Sequence, residues 1–172
     1  MCPRDTKEAA YKAIVRPHLE YASSSWSPHT TNNVEKIEKI QRRAARFTLG
    51  NYNYGPTNSI NREIENTLKW PSLHHRRTAH DIHLLHKIIN KNVNISLPPV
   101  IRKSPTHPTR FLHVQALHSE AFKNSYFVRT IRIWNKIPAN IHIITSPTSF
   151  KLQSNNFIFS RKRVKINQTW TI

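Results

Sequence analysis

The chain has 172 residues, with 27 Lys and Arg against nine acids and a formal net charge of +18. The length suits one domain of ordinary size, and an apolar fraction of 37% permits only a modest core. A single cysteine excludes an internal disulfide framework, no apolar run is long enough to span a bilayer, and two glycines leave no room for a Gly-rich phosphate loop.

Asp5 and Glu8 form a variant capping box that opens a helix near Thr6, with Ala9, Ala10, Ala13 and Ile14 along one side. Pro17 cannot donate to the helical ladder, so a kink or stop is predicted there, with helix resuming toward Tyr21 and a turn over Ser23 to Pro28. The clearest helix is predicted from Val34 to Leu49, capped by Asn32, with Glu35 at the matching third position and Gly50 at the C-terminal stop. At about 100° per residue, Val34, Ile37, Ile40, Ala44, Ala45, Phe47 and Leu49 fall on one arc of it. Lys36, Lys39, Arg42, Arg43 and Arg46 fall on the other, and the i,i+4 pairs Glu35–Lys39 and Glu38–Arg42 are expected to form. A polar loop over Asn51 to Thr57 leads to a short helix over Asn58 to Leu68. Trp70-Pro71-Ser72 then starts a helix running to Asn90, which buries Leu73, Ile82, Leu85, Ile88 and Ile89. From Lys91 the prolines Pro98, Pro99, Pro105 and Pro108 break the chain repeatedly; the aromatic-rich Ser125 to Asn135 fits a strand or a short helix, with helix favoured, and a last short helix is expected over Pro147 to Gln153. The fold class is mainly α: a small helical domain with long irregular Pro-containing segments and a disordered basic C-terminal tail. Its expected divisions are a helical region at 1–90, a loosely ordered region at 91–153 and a basic tail at 154–172.

Charge is distributed unevenly. Eight of the nine acids precede residue 82, and Glu120 alone stands among the fourteen Lys and Arg that follow. Such a surface attracts polyanions and releases their counterions, which makes nucleic acid the first candidate partner and an anionic membrane surface the second; no membrane partner is assigned. Metal-carboxylate catalysis needs clustered acids, and Asp5 and Asp81 are each alone. Ser23-Ser24-Ser25 lacks the Gly-flanked elbow of a nucleophilic serine. His80, His83 and His86 recur by threes on one predicted helix, a spacing that lets two of them chelate zinc, but no cysteine accompanies them and no metal is assigned. Trp26, Trp70 and Trp134 each stand beside a chain reversal and are expected to anchor the core in preference to stacking on bases. The basic arc of the Val34–Leu49 helix is the strongest functional signal: Lys36, Arg43 and Arg46 lack a local acid, and Lys39 and Arg42 are the next candidates. Arg76, Arg77, Arg129 and Arg132 are second-rank phosphate contacts, and Arg161-Lys162-Arg163-Val164-Lys165 is a basic run of a kind frequent in tails. Met1 to Asp5 lack the apolar stretch of a signal peptide, so an intracellular protein, nuclear or cytoplasmic, is expected.

Four segments occur in fixed order: Ala10-Tyr11-Lys12 through Arg16-Pro17-His18-Leu19-Glu20-Tyr21-Ala22-Ser23-Ser24-Ser25-Trp26-Ser27-Pro28; Glu38-Lys39-Ile40-Gln41-Arg42-Arg43-Ala44-Ala45-Arg46-Phe47; Leu68-Lys69-Trp70-Pro71-Ser72-Leu73 closing on Arg76-Arg77; and Arg129-Thr130-Ile131 with Trp134-Asn135-Lys136-Ile137-Pro138. Together they resemble the C-terminal region of a non-LTR retrotransposon reverse transcriptase of the Jockey-like group, over roughly Cys2 to Phe150. The resemblance implies that 1–90 is the thumb and 91–153 the post-thumb segment. The catalytic palm lies upstream of such a region, so it implies a non-catalytic fragment with no cofactor. A thumb helix lies along a template–primer duplex and holds its phosphates. The implied partners are therefore RNA or RNA–DNA duplex, without sequence preference, and the missing palm of the parent polymerase. Asn92 stands where relatives usually place glycine, and the stretch from Arg102 to Leu117 keeps little beyond Thr109-Arg110. These departures imply a decayed or truncated copy. Outside the resemblance, the apolar helix faces leave two alternatives open: a protein-interaction fragment, or a translated relic with no selected activity.

Overall fold

The structure, a computed structural model, describes residues 2–52, 57–113 and 119–160. It is mainly helical, with one two-stranded antiparallel sheet among the described residues, and divides into two compact units, Met1–Arg77 and Thr78–Ile172. The basic run at Arg161 to Lys165 lies outside the described residues, as does most of the predicted tail. The part of that tail that is described is ordered otherwise than expected: residues 154–160 continue a helix begun at Pro147.

The N-terminal unit opens with α1 (Arg4–Ala10), a π-helical turn over Tyr11–Val15 and α2 (Arg16–Glu20). Pro17 does not end the helix. The widened turn directly before it absorbs the missing backbone donor, and Pro17 sits in the first turn of α2, where its N–H is not needed. The expected alanine side of this helix is solvent-exposed, as is Ile14; Tyr11 is what the segment buries. Short α3 (Ser23–Trp26) replaces the predicted turn. Trp26 does not anchor a core: it is 42% exposed, and its indole N–H donates to the Tyr21 carbonyl at 2.6 Å.

The main helix, α4, runs over Thr31–Leu49, three residues longer than predicted at its start. Thr30 is its N-cap residue in place of Asn32, with no side-chain capping bond, and Gly50 ends it in the left-handed conformation at φ +68°. A residue at that φ pays a steric cost for a Cβ, which glycine avoids. After α5 (Thr57–Glu63), a second π-helical turn (Ile64–Leu68) and the buried Trp70, α6 covers Leu73–Ile89. Ser72 caps it, its Oγ accepting from the His75 N–H at 3.2 Å. The core of this unit is small: Tyr11, Ala45, Ile60, Ile64, Leu68 and Trp70, with Tyr11 stacked on Trp70 at 4.6 Å between ring centres.

The division between the units falls within α6, after Arg77. The C-terminal unit adds β1 (Ile101–Lys103), β2 (Phe111–His113), α7 (Glu120–Lys123), α8 (Tyr126–Trp134), α9 (Ala139–His142) and α10 (Pro147–Ser160). The strands pair with Ile101 opposite His113 and Lys103 opposite Phe111. Predicted core positions Ile82, Leu85 and Ile88 of α6 are buried as expected. Ala79, Ile82 and Leu85 meet Ile101, Phe111, Ile131, Trp134, Ile137, Ile141, Phe150 and Ile158 in the larger of the two cores. Among the described residues, apolar burial is thus heavier after Arg77 than before it. Side-chain bonds to irregular backbone explain how a Pro-broken sequence achieves this. Trp134 donates to the Thr109 carbonyl at 3.0 Å, and Asn135 pairs with the Phe111 backbone like an extra strand, accepting its N–H at 3.1 Å and donating to its carbonyl at 2.8 Å.

Candidate nucleic-acid interface

The candidate surface is built on α4, and its electrostatics begin with where the acids go. Neither expected i,i+4 pair forms. Glu35 reaches two turns along the helix to Arg42, and Glu38 turns instead to the start of α6, accepting from the backbone N–H groups of His74 at 2.7 Å and Leu73 at 3.3 Å. Four orphan donors at a helix start attract a carboxylate strongly, which outweighs a solvent-screened bond to a neighbouring side chain. Burial pushes the Glu38 carboxyl above its ordinary range, against the downward pull of those same two N–H groups. Glu8 is held by Lys12 and by the Trp70 indole N–H, 3.0 Å away, and these hydrogen bonds keep its carboxyl below the ordinary range. Glu20 binds Arg76 through both carboxylate oxygens, one at 2.9 Å, and Glu63 accepts from Asn51 at 3.0 Å. The acids of this unit are largely spent on its own interior.

The consequence for the sequence candidates is a clear sorting. Arg42 is 8% exposed and tied to Glu35, Arg76 is tied to Glu20, and Arg77 is 1% exposed, so these three serve the fold. Arg46 is half-buried. Lys36, Lys39 and Arg43 are exposed, and among the described residues none of the three enters an ion pair. Lys39 gains in standing because the glutamate expected to neutralise it is engaged elsewhere. In the C-terminal unit Arg129 donates to Asp81 at 3.1 Å and to the Asn124 carbonyl at 3.1 Å, while Arg132 is exposed on α8. Of the nine candidates, the three outward cations of α4 are the best part.

The groove beside them was not legible as such in the sequence. Gln41, Arg42, Ala45 and Thr48 occupy the buried face of α4, which leaves Ile40 and Phe47 of the apolar arc exposed. Both stand on the seam between the apolar and basic arcs, in one stripe with Lys36 and Arg43 at i,i+4,i+7,i+11 spacing. They line an open groove of about 1090 Å³ together with Ile14, Val15 and Tyr52. Lys7 Nζ stands 5.1 Å from the Phe47 ring centre. The only signal available beforehand was the direct adjacency of Phe47 and Ile40 to cations at helical spacing.

The histidine row is used differently. His86 is 1% exposed and donates from Nε2 to the Ile144 carbonyl at 2.6 Å, and His83 Nε2 lies 3.2 Å from Ser154 Oγ. Among the described residues no group of three His, Cys, Asp or Glu is placed to hold a metal ion, and no helix is long and apolar enough to cross a membrane. In comparisons with known proteins, no family model matches the chain, and no match was found among curated proteins or solved structures.

Proposed function

We propose that the chain is a non-catalytic, intracellular binding fragment of a Jockey-like reverse transcriptase, and that α4, as its thumb helix, holds nucleic-acid backbone phosphates. The observation that carries the reading is the outward row Lys36, Lys39 and Arg43 on one 19-residue helix whose nearby acids bind elsewhere. The net charge of +18 supports it, as does the likeness of the four sequence segments. Contacts of this kind set affinity and register and carry no base identity, so RNA and RNA–DNA duplex are bound without sequence preference. The missing palm of the parent enzyme is a further partner on this reading. A second reading, a protein-interaction fragment, draws on the exposed Ile14, Ile40 and Phe47.

The test is anisotropy of a labelled RNA–DNA duplex titrated across salt. With about five phosphates neutralised, log K falls against log salt with a slope of about −4 to −5. Changing Lys36, Lys39 and Arg43 together to Gln reduces that slope by about two to three. A slope near zero for the unaltered protein overturns the reading, and an unchanged slope in the triple variant moves the contact away from α4.

A further inference from the structure

The proposed phosphate contact leaves half of the groove unexplained. Phosphate binding needs cations alone, yet this groove exposes Phe47 by 47%, Ile40 by 41%, Tyr52 by 58% and Ile14 by 64%. Contiguous apolar surface in a concave site, rimmed by charge, marks a place where something apolar docks. We infer that the groove takes an unpaired, single-stranded stretch of nucleic acid, with bases against Phe47 and Tyr52 and phosphates along Lys36, Lys39 and Arg43. The inference rests on the phosphate-binding reading and narrows its ligand.

Charge complementarity selects this occupant. Among the described lining residues Glu35 is the only acid, and it is bound to Arg42, so the rim presents positive charge to an anionic guest. A duplex meets that requirement with its backbone but keeps its base faces stacked inside, leaving the apolar floor in water. A single strand meets both requirements at once, since every base offers a π face and every linkage a phosphate. The helix geometry supplies the matching alternation: Lys36, Ile40, Arg43 and Phe47 succeed one another along one stripe of α4. Lys7 over the Phe47 ring sets a cation beside a π surface, the same pairing on a smaller scale.

The experiment compares a labelled oligothymidylate with a blunt duplex of the same length, each titrated across the same series of salt concentrations, on the full chain. The variants are Phe47→Ala, Phe47→Trp and the Lys36/Lys39/Arg43 triple Gln change. The single strand is expected to bind about tenfold tighter than the duplex. Phe47→Ala is expected to weaken the single strand roughly five- to hundredfold, leaving duplex binding within about twofold, with Phe47→Trp restoring the difference. Because Phe47 is half exposed, its variants are expected to keep the unaltered far-UV circular dichroism and melting temperature. If Phe47→Ala changes neither ligand, or both equally, while the triple variant still flattens the salt slope, the single-strand inference falls and the phosphate reading stands. If neither ligand shows a salt slope, the phosphate reading falls and takes this inference with it. A dimer in sedimentation that Phe47→Ala dissociates and oligothymidylate does not would make a second copy the occupant, and an acidic peptide that outcompetes oligothymidylate would do the same for a protein partner. Either result overturns the inference.

Discussion

The two units solve the same problem with different materials. Among the described residues, the C-terminal unit packs a core of eleven buried residues around Trp134, Phe150 and Ile131, and uses polar side chains mainly to stitch irregular backbone to that core. The N-terminal unit has six such residues, and its interior is held as much by bonded polar groups. Gln41, 3% exposed, accepts from the Tyr11 hydroxyl and donates to the Pro71 carbonyl, each at 3.1 Å, and the acids Glu8, Glu20 and Glu38 close contacts between segments. The lesson is one of allocation. By folding around Tyr11, Gln41 and Trp70, the N-terminal unit leaves Ile14, Ile40 and Phe47 at its surface and consumes the carboxylates that would screen Lys36, Lys39 and Arg43. A groove both apolar and positive follows from how that interior is built.

The largest effect that tests this contrast lies in the C-terminal unit. Trp134 is 2% exposed, stacks on His142 at 4.5 Å between centres and lies 5.7 Å from Phe150. Trp134→Ala is expected to cost about 3–5 kcal/mol, combining lost transfer energy with a cavity. Hydrogen exchange over α8 to α10 is the readout, and protection retained there would show that the apolar cluster does not hold the unit together. The N-terminal counterpart runs the other way. Gln41→Leu makes a buried site more apolar, yet it deprives the Tyr11 hydroxyl and the Pro71 carbonyl of their shared partner and is expected to cost about 1–3 kcal/mol in urea unfolding. A neutral or stabilising result would mean that this interior is apolar in effect and that the contrast between the units is false.

How far the sequence exposed this design depended on which physical rule governed each element. The core positions of α6 were legible because Leu73, Ile82, Leu85 and Ile88 follow helical spacing with no competing demand, and Gly50 was legible because a left-handed stop needs it. The buried face of α4 differs from its apolar arc because periodicity counts apolar residues and cannot see that Gln41 satisfies two partners distant in sequence. Glu38 was assigned to Arg42 for the same reason: the helix start that attracts it lies 35 residues away. The segments Leu68-Lys69-Trp70-Pro71-Ser72-Leu73 and Trp134-Asn135-Lys136-Ile137-Pro138 turn out to be structural units. Each combines a buried indole, a bonded backbone group and a helix start, so their distinctiveness reflects the demands of two tight chain reversals. The core after residue 91 was hidden because strands of three residues and helices of four have no period to detect.

The smallest effect concerns acid. His83, His86 and His142 of the C-terminal unit are held neutral, chiefly by burial, with His83 brought down from the ordinary 6.5 to about 4. For His83 the charges of Lys151, His80, His86 and Lys87 act in the same direction. His142 donates from Nε2 to the Trp134 carbonyl at 3.0 Å, and its buried Nδ1 has no hydrogen-bond partner among the described residues, so a proton placed there would gain no acceptor. Between pH 6.5 and about 4 the unfolded chain takes up a proton at His83 that the folded chain refuses. Stability is therefore full above about 6.5, declines as pH falls and levels off below about 4. In the N-terminal unit His74, brought down to about 4 chiefly by burial, acts in the same direction as His83, while Glu38 has the opposite sign: its raised carboxyl contributes stability that is present at low pH and lost as pH rises through its folded value. Hydrogen exchange at pH 7 and pH 5 is expected to show protection falling over α8 to α10, by on the order of 1 kcal/mol once screening at the half-exposed His83 ring is discounted. His83→Gln removes the titrating group while keeping a polar atom near Ser154, so it is expected to shrink that loss. An equal loss in the variant would assign the acid sensitivity to His86 and His142, and no loss in the unaltered protein would show that burial does not hold these rings neutral.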